Sequence, residues 1–206
     1  MMRLLSGLAR CRGGATAAEF ALVLPLLIIF LLGVIDVGRL MWTWNRAEKA
    51  TQMGVRAAVV MDFVPSGLAT YNFVSGTVAA GSPVPIGSFP GTTCRQGNCY
   101  ALDTSKACGS SASSWGYSSG AFTNILNRAQ AMMPEVQAAN LCIDYENIGL
   151  GYAGDPNGSD VAPLVRVRLR NLNFTPLVFA LFGASMPLPD FSAALTMEDG
   201  SGTVSN

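Results

Sequence analysis

The sequence contains no histidine, and Asp, Glu, Lys and Arg together make up only 13% of its 206 residues, about half the usual share. Without histidine, neither a Ser-His-Asp triad nor a Cys-His pair can form. The glycines show no phosphate-cradling pattern between a strand and a helix, so nothing supports nucleotide binding. We therefore expect a protein that is not an enzyme and that uses no cofactor.

The few charges are unevenly distributed. Residues 1–60 contain seven Lys or Arg and three Asp or Glu, whereas residues 61–206 contain six and ten. The larger part of the chain is therefore mildly acidic, which argues against a nucleic-acid partner.

The most prominent feature of the sequence is one long apolar run near the N-terminus. Residues 20–35 are sixteen uncharged, mostly apolar residues, and Asp36, Arg39 and Trp42 follow them. A helix over residues 20–44 is long enough to cross a hydrocarbon core of about 30 Å. Asp36 and Arg39 are three residues apart and can neutralise each other near the far interface, where Trp42 would join an aromatic belt. We expect this segment to enter a membrane.

The flanks of the run predict its orientation. Arg3, Arg10 and Arg12 precede it, and no acidic residue comes before Glu19. The N-terminus should therefore stay cytoplasmic and the rest of the chain should lie outside the cytoplasm. The run is longer than the apolar core of a typical signal peptide, and no obvious Ala-x-Ala-like exit site follows it. We therefore expect a retained helix.

The number and the positions of the cysteines agree with export of the chain after the apolar run. Cys11 precedes the apolar run, and an even number of cysteines follows it: Cys94, Cys99, Cys108 and Cys142. In an oxidising compartment these predict two disulfides, for which three connectivities exist. We favour a small Cys94–Cys99 loop and a Cys108–Cys142 link between a loop and the core. Zinc is the alternative, but the spacing has no CxxC pair and the chain has no histidine.

The residues around Glu19 resemble two known patterns. Gly14, followed by ATAAEF over residues 15–20, resembles the cleavage site of type IV prepilins, in which a peptidase cuts after the glycine. The continuation resembles the TadE family, pseudopilins of the Tad (tight adherence) pilus assembly system, in Pro25, Gly33, Asp36, Arg39 and the stretch MGVRAAV over residues 53–59. The resemblance is strong over residues 13–60 and loose beyond them.

The resemblance implies a leader of residues 1–14, removed by a prepilin peptidase between Gly14 and Ala15. It further implies a minor pilin-like subunit in the inner membrane, with a periplasmic C-terminal domain and with incorporation into an extracellular pilus as one fate. Its partners would be other pilin and pseudopilin subunits and the Tad inner-membrane assembly machinery. Glu19, next to Phe20, would neutralise the new amine of Ala15 and set the assembly register. Taken alone, Glu19 is also explained as a carboxylate favoured by the dipole at a helix N-terminus.

We expect an α+β protein built on this helix, which should run over residues 15–61 without interruption, although Pro25 removes one backbone hydrogen bond. Apolar residues recur at helical spacing over residues 45–61, and this stripe should pack on the protein's own domain. Residues 15–44 should instead pack against neighbouring subunits. The extracytoplasmic domain should span residues 62–198, and residues 199–206 should form a disordered tail.

Within that domain we expect one further helix and a small antiparallel sheet of about three strands. Apolar spacing predicts the helix over residues 120–133, stopped by Pro134. Alternation predicts strands over residues 140–150, 163–171 and 190–198, with the first two forming a hairpin. Four side chains of the third strand should point inward: Phe191, Ala193, Leu195 and Met197. Residues 62–120 are rich in Pro, Gly and Ser and predict loops, with 105–120 either held by a disulfide or mobile.

Three other stretches allow more than one interpretation. The apolar connector 174–188 is either a core plug beneath the sheet or a patch for a partner subunit or the membrane surface. Asp144 and Glu146 share one face of a strand, and a solvated face opposite an arginine row is a simpler explanation than an acid pair. Residues 155–160 faintly resemble a calcium loop but lack the bidentate glutamate at the twelfth position, which favours a turn.

Two functions follow from these observations. The first is the pseudopilin, a structural subunit that assembles through its N-terminal helix after leader cleavage. The alternative is an unprocessed single-pass envelope protein with a ligand- or surface-binding periplasmic domain. Cleavage after Gly14 distinguishes the two.

Overall fold

The chain divides into two units. The computed structural model describes residues 13–103, 108–109, 111–180, 183–198, 200 and 202. One unit, called here the helical unit, comprises the chain up to Thr43 together with Phe174–Met186; the other, the sheet unit, comprises Trp44–Asn173 and Pro187–Asn206. The predicted leader, except its last two residues, and most of the predicted tail lie outside the described residues.

The long helix α1 spans Gly13–Val60 and continues through Pro25. It begins two residues before the predicted start and ends one residue before the predicted end. Its most apolar 18-residue window has a mean hydropathy of 2.8, and only 6% of that window is buried. A core helix would hide such a surface, whereas a lipid-facing helix leaves it uncovered by protein. By its length and composition, this helix could cross a membrane.

The second segment of the helical unit contains the short helix α3, Leu177–Ala180. Two short strands flank it and pair with each other, β5 at Asn173–Phe174 and β6 at Met186–Pro187. Residues 174–186, which lie within the predicted domain 62–198, group with the helical unit.

The sheet unit is built around a five-stranded antiparallel sheet in the order β2-β1-β3-β4-β7. Its strands are β1 Gly91–Arg95, β2 Asn98–Ala101, β3 Leu141–Glu146, β4 Leu164–Leu169 and β7 Phe191–Thr196. The α+β class is confirmed, but the expected number of about three strands is too low. The β1–β2 hairpin lies in the stretch predicted to be loops, and Gly97, with a φ of 88°, provides the left-handed turn conformation between its strands.

The predicted second helix is confirmed as α2, Ser119–Met132, and a 3₁₀ turn at Ala138–Asn140 follows it. Ser118 caps α2, because its hydroxyl oxygen accepts the backbone N–H of Ala121. The buried face of α2 is apolar and consists of Ala121, Phe122, Ile125 and Ala129.

The core of the sheet unit lies on the Val-rich face of β4. Val165, Val167 and Leu169 are buried, as predicted for this strand, and so are most small residues of α1 after Trp44, among them Ala47, Ala50 and Ala57. The prediction that this half of α1 packs on its own domain is thereby confirmed. Leu195 was expected to be inward, but it is 40% exposed because β7 is an edge strand of the sheet.

At Gly54, α1 packs closely against both β4 and α2. A Cβ atom built at Gly54 would lie 3.2 Å from Val167 Cγ1 and 3.9 Å from Ala129 Cβ. A Cβ atom built at Gly33, on the exposed part of the same helix, would meet nothing within 4 Å. The two glycines therefore offer a matched pair for testing this packing.

We expect Gly54→Leu to lower the free energy of unfolding of the sheet unit by about 1–3 kcal/mol, because the larger side chain overpacks the contact between helix and sheet. Gly33→Leu should leave that free energy unchanged. Urea unfolding of the detergent-solubilised chain, followed by near-ultraviolet circular dichroism, measures both. Equal midpoints for the two variants would contradict the proposed packing.

Candidate functional site

The predicted processing and register residues lie in the first two turns of α1. Gly14, Glu19 and Phe20 are exposed, and nothing lies within 4 Å of a Cβ atom built at Gly14. Positions 15 and 19 are four residues apart in the helix and therefore share one of its faces. An amine at position 15 and the carboxylate of Glu19 would thus lie on the same side of the helix end.

The apolar surface of α1 extends from these turns to the predicted far interface. Fifteen large apolar side chains between residues 20 and 42, including Phe20 and Trp42, are 37–75% exposed. Pro25 lies within this stretch without ending the helix. A surface of this size is not typical of a protein in water and requires lipid or other helices around it.

Asp36 and Arg39 interrupt the apolar surface and bind each other, as predicted. Arg39 Nη1 donates to Asp36 Oδ1 at 2.9 Å, and the side chain of Asp36 is nearly buried. The same carboxylate accepts the backbone N–H groups of Leu177 at 2.8 Å and Val178 at 3.3 Å, which open α3. Asp36 therefore caps a second segment of the chain.

Arg39 strengthens this attachment from the next turn of the helix. Its guanidinium lies 5.4 Å from the ring centroid of Phe174 and donates to the Thr175 carbonyl at 3.5 Å. A cation over an aromatic face and a charge-assisted hydrogen bond are both favourable. Sequence reasoning missed this attachment. The only local signal was the stretch FTPL over residues 174–177, in which the N–H groups after the proline need an acceptor.

Of the two interpretations of the connector 174–188, the core plug fits only some of its described residues. Leu177, Phe179 and Met186 are 40%, 48% and 43% exposed, although Phe174 and Leu188 are buried. Leu177, Phe179 and Met186 therefore fit the alternative of a surface patch.

The cysteines form the pairing that the sequence analysis favoured. Cys94–Cys99 links β1 to β2 across directly opposed positions, and Cys108–Cys142 links a loop to β3. All four are buried. Since their thiolates are used in disulfides, they cannot act as zinc ligands.

Asp144 was expected on a solvated face and is instead 3% exposed. Its Oδ1 atom accepts from Arg168 Nη2 at 2.7 Å and from Thr93 Oγ1 at 2.8 Å. Arg166 and Glu146 form a longer, half-exposed pair at 3.7 Å. Asp144 is therefore half of a buried ion pair that stabilises the sheet, rather than one member of an acid pair.

The turn interpretation of residues 155–160 is confirmed. Asp160 is buried, and its two carboxylate oxygens accept the backbone N–H groups of Phe73 at 2.7 Å and Asp155 at 3.1 Å. The carboxylate thus organises the turn through its own chain.

Two shifted pKa values in the sheet unit also have structural causes. Burial raises the pKa of Tyr145 despite the hydrogen bond that the Val64 N–H donates to its oxygen, so this hydroxyl stays neutral. Partial burial also opposes ionisation of Glu135, but the two hydrogen bonds from Arg46, at 2.8 and 3.0 Å, outweigh it and lower its pKa. This bidentate pair holds α1 to the end of α2.

Comparison with known families bears on the N-terminal helix. A family model described as TadE-like protein matches residues 14–56. This segment is TadE-like. The match supports a pilin-like protein associated with the Tad pilus. The TadE-like segment begins at Gly14, contains the whole exposed apolar surface of α1, and ends inside the sheet unit at Arg56. No curated protein and no solved structure matches the chain.

Proposed function

We propose that the chain is a minor pseudopilin of a Tad (type IVc) pilus, cut after Gly14 and assembled through α1. The observation that carries the proposal is the TadE-like segment, which begins at the expected cleavage residue and contains the exposed apolar helix. The role is structural: the chain supplies a helix to a bundle and performs no catalysis.

The exposed apolar surface of α1 suits a subunit whose helix is surrounded first by lipid and later by other helices. Before assembly, lipid covers its apolar side chains; after extraction, the helices of neighbouring subunits cover them. Helix association among apolar surroundings depends on close packing and on polar contacts more than on burial from water. The same surface can therefore serve both states, and polar groups such as Glu19 decide how subunits align.

Glu19 supplies the alignment in this proposal. A carboxylate at the edge of the hydrocarbon core costs a few kcal/mol unless a charge neutralises it. Cleavage after Gly14 creates an ammonium at Ala15, one helical turn away on the same chain or available from a neighbouring one. Pairing of the two charges fixes the axial position of one helix against the next.

The processing, the location and the partners of the chain follow from this proposed role. A prepilin peptidase removes the leader on the cytoplasmic side of the inner membrane, and the sheet unit lies in the periplasm, where both disulfides form. Other pilin and pseudopilin subunits and the Tad inner-membrane assembly machinery are the partners.

Intact-mass measurement and N-terminal sequencing of the protein from native membranes test the proposal. We expect the mature chain to begin at Ala15, and we expect Gly14→Ile to retain the leader while Gly13→Ala is still cut. A chain that keeps Met1, or that is cut after the apolar run, contradicts the proposal and leaves the unprocessed, membrane-anchored binding protein as the explanation.

A further inference from the structure

Among its described residues, the second segment of the helical unit exposes three large apolar side chains. Leu177, Phe179 and Met186 are each at least 40% exposed, and residues 174–188 contain no charged residue. We call these three side chains the connector surface. Apolar side chains grouped on an uncharged segment mark a surface that meets something other than water.

The connector surface has a defined position along α1. Asp36 accepts the first N–H groups of α3, and Arg39 contacts Phe174 and Thr175. These contacts hold the segment against the helix at residues 36–39. Large side chains of α1 around this level, such as Ile35 and Met41, are themselves 50–58% exposed. The connector surface is therefore attached at a level of α1 where the helix also exposes apolar side chains.

The helical rise gives the depth of this position. At 1.5 Å per residue, Arg39 lies about 30 Å along the axis from Glu19, which is about the thickness of the hydrocarbon core. With Glu19 at one boundary, Asp36 and Arg39 reach the other, and Trp42 extends into the headgroup region, where tryptophan is enriched. The connector thus leaves the helix at the outer edge of the hydrocarbon.

We propose that the connector surface inserts into the outer leaflet at this boundary and contacts phospholipid acyl chains. Attachment to the exposed helix, the absence of charge and the depth of the Asp36 contact all favour lipid over a protein partner. The segment then acts as an interfacial brace that sets the depth and rotation of α1 in the membrane. This proposal rests on the membrane placement of α1 in the proposed function but not on pilus assembly.

Site-specific photocrosslinking tests the brace. The full-length chain, with p-benzoylphenylalanine at position 179, is reconstituted into vesicles of phosphatidylethanolamine and phosphatidylglycerol, irradiated, and analysed by intact mass. Position 28, in the apolar run, is the membrane control. Position 86 is the control in the sheet unit, since Ile86 is 60% exposed there. We expect a one-phospholipid adduct at 179 with a yield close to that at 28 and several-fold above that at 86.

The controls separate the ways in which the proposal can fail. A lipid adduct at 28 without one at 179, or a crosslink from 179 to a second copy, overturns the brace and leaves the membrane helix standing. No adduct at either position overturns the membrane placement itself, and the brace with it. Equal yields at 86 and 179 also overturn the brace. Repetition at position 177 guards against a local disturbance from the substitution at Phe179, because both positions should behave alike.

Discussion

Asp144→Ala is expected to lower the free energy of unfolding of the sheet unit by about 3–5 kcal/mol, because it leaves the Arg168 guanidinium in the sheet without its counter-charge. Arg168 Nε is already buried without a hydrogen-bond partner among the residues that the structure describes. Thr93 would lose its acceptor as well. The loss should therefore exceed that of an ordinary ion pair.

Asp190→Ala is the matched control. Asp190 accepts from Arg170 Nε at 2.6 Å, a similarly short contact, but it is exposed. Its removal should change the free energy of unfolding by no more than about 1 kcal/mol. The double variant Asp144→Ala/Arg168→Met should be less destabilised than Asp144→Ala alone, since no uncompensated charge remains. Urea unfolding with intact disulfides measures all three, and similar losses for Asp144→Ala and Asp190→Ala would show that burial does not set the strength of the pair.

Glu19→Gln is expected to abolish incorporation into pili while leaving the amount of protein in the membrane unchanged. Glutamine keeps the size and polarity of the side chain but removes the charge that would neutralise the amine at Ala15. The apolar helix itself is unaltered, so membrane insertion should persist. Immunoblots of sheared filaments and of membrane fractions from the native host separate the two effects.

Glu48→Gln is the control for Glu19→Gln, because Glu48 lies on the same helix and in the same TadE-like segment. Glu48 accepts from Trp44 Nε1 at 2.7 Å at an exposed position of the sheet unit, and its neutralisation should leave piliation intact. If Glu19→Gln cells assemble normal amounts of pilus containing the variant, Glu19 does not set the register. Loss of piliation in both variants would point instead to a general effect of removing acidic residues.

Elements with a strong local pattern could be predicted from the sequence. The apolar run predicted α1, the alternation that includes Val165 and Val167 predicted β4, and the helical spacing of apolar residues predicted α2. The strands β1 and β2 were not predicted, because they are only five and four residues long. In addition, buried Thr and Cys occupy positions at which large apolar residues usually reveal the alternation of a strand. Short strands of this kind depend on their neighbours more than on their own propensity.

The two most informative errors concern contacts between distant parts of the chain. Asp36 and Leu177 are 141 residues apart, so no local pattern shows that one caps the other. Alternation correctly placed Asp144 on the face opposite the core residues, but it does not show what covers that face. Cys142 lies on the same face two residues earlier, and its disulfide to Cys108 brings a loop to that side of β3.

The order of strands has a consequence for the time course of synthesis. The edge strand β7 is the last strand in sequence among the described residues, and it pairs with β4 along residues 191–196. Just beyond it, the N–H of Glu198 bonds to the carbonyl of Val59 near the end of α1. While the chain grows from its N-terminus, β4 therefore keeps one open edge until residues 191–196 have been added. A chain that stops before residue 191 cannot complete the sheet, and the bond from Glu198 to Val59 forms only after residue 198 has been added.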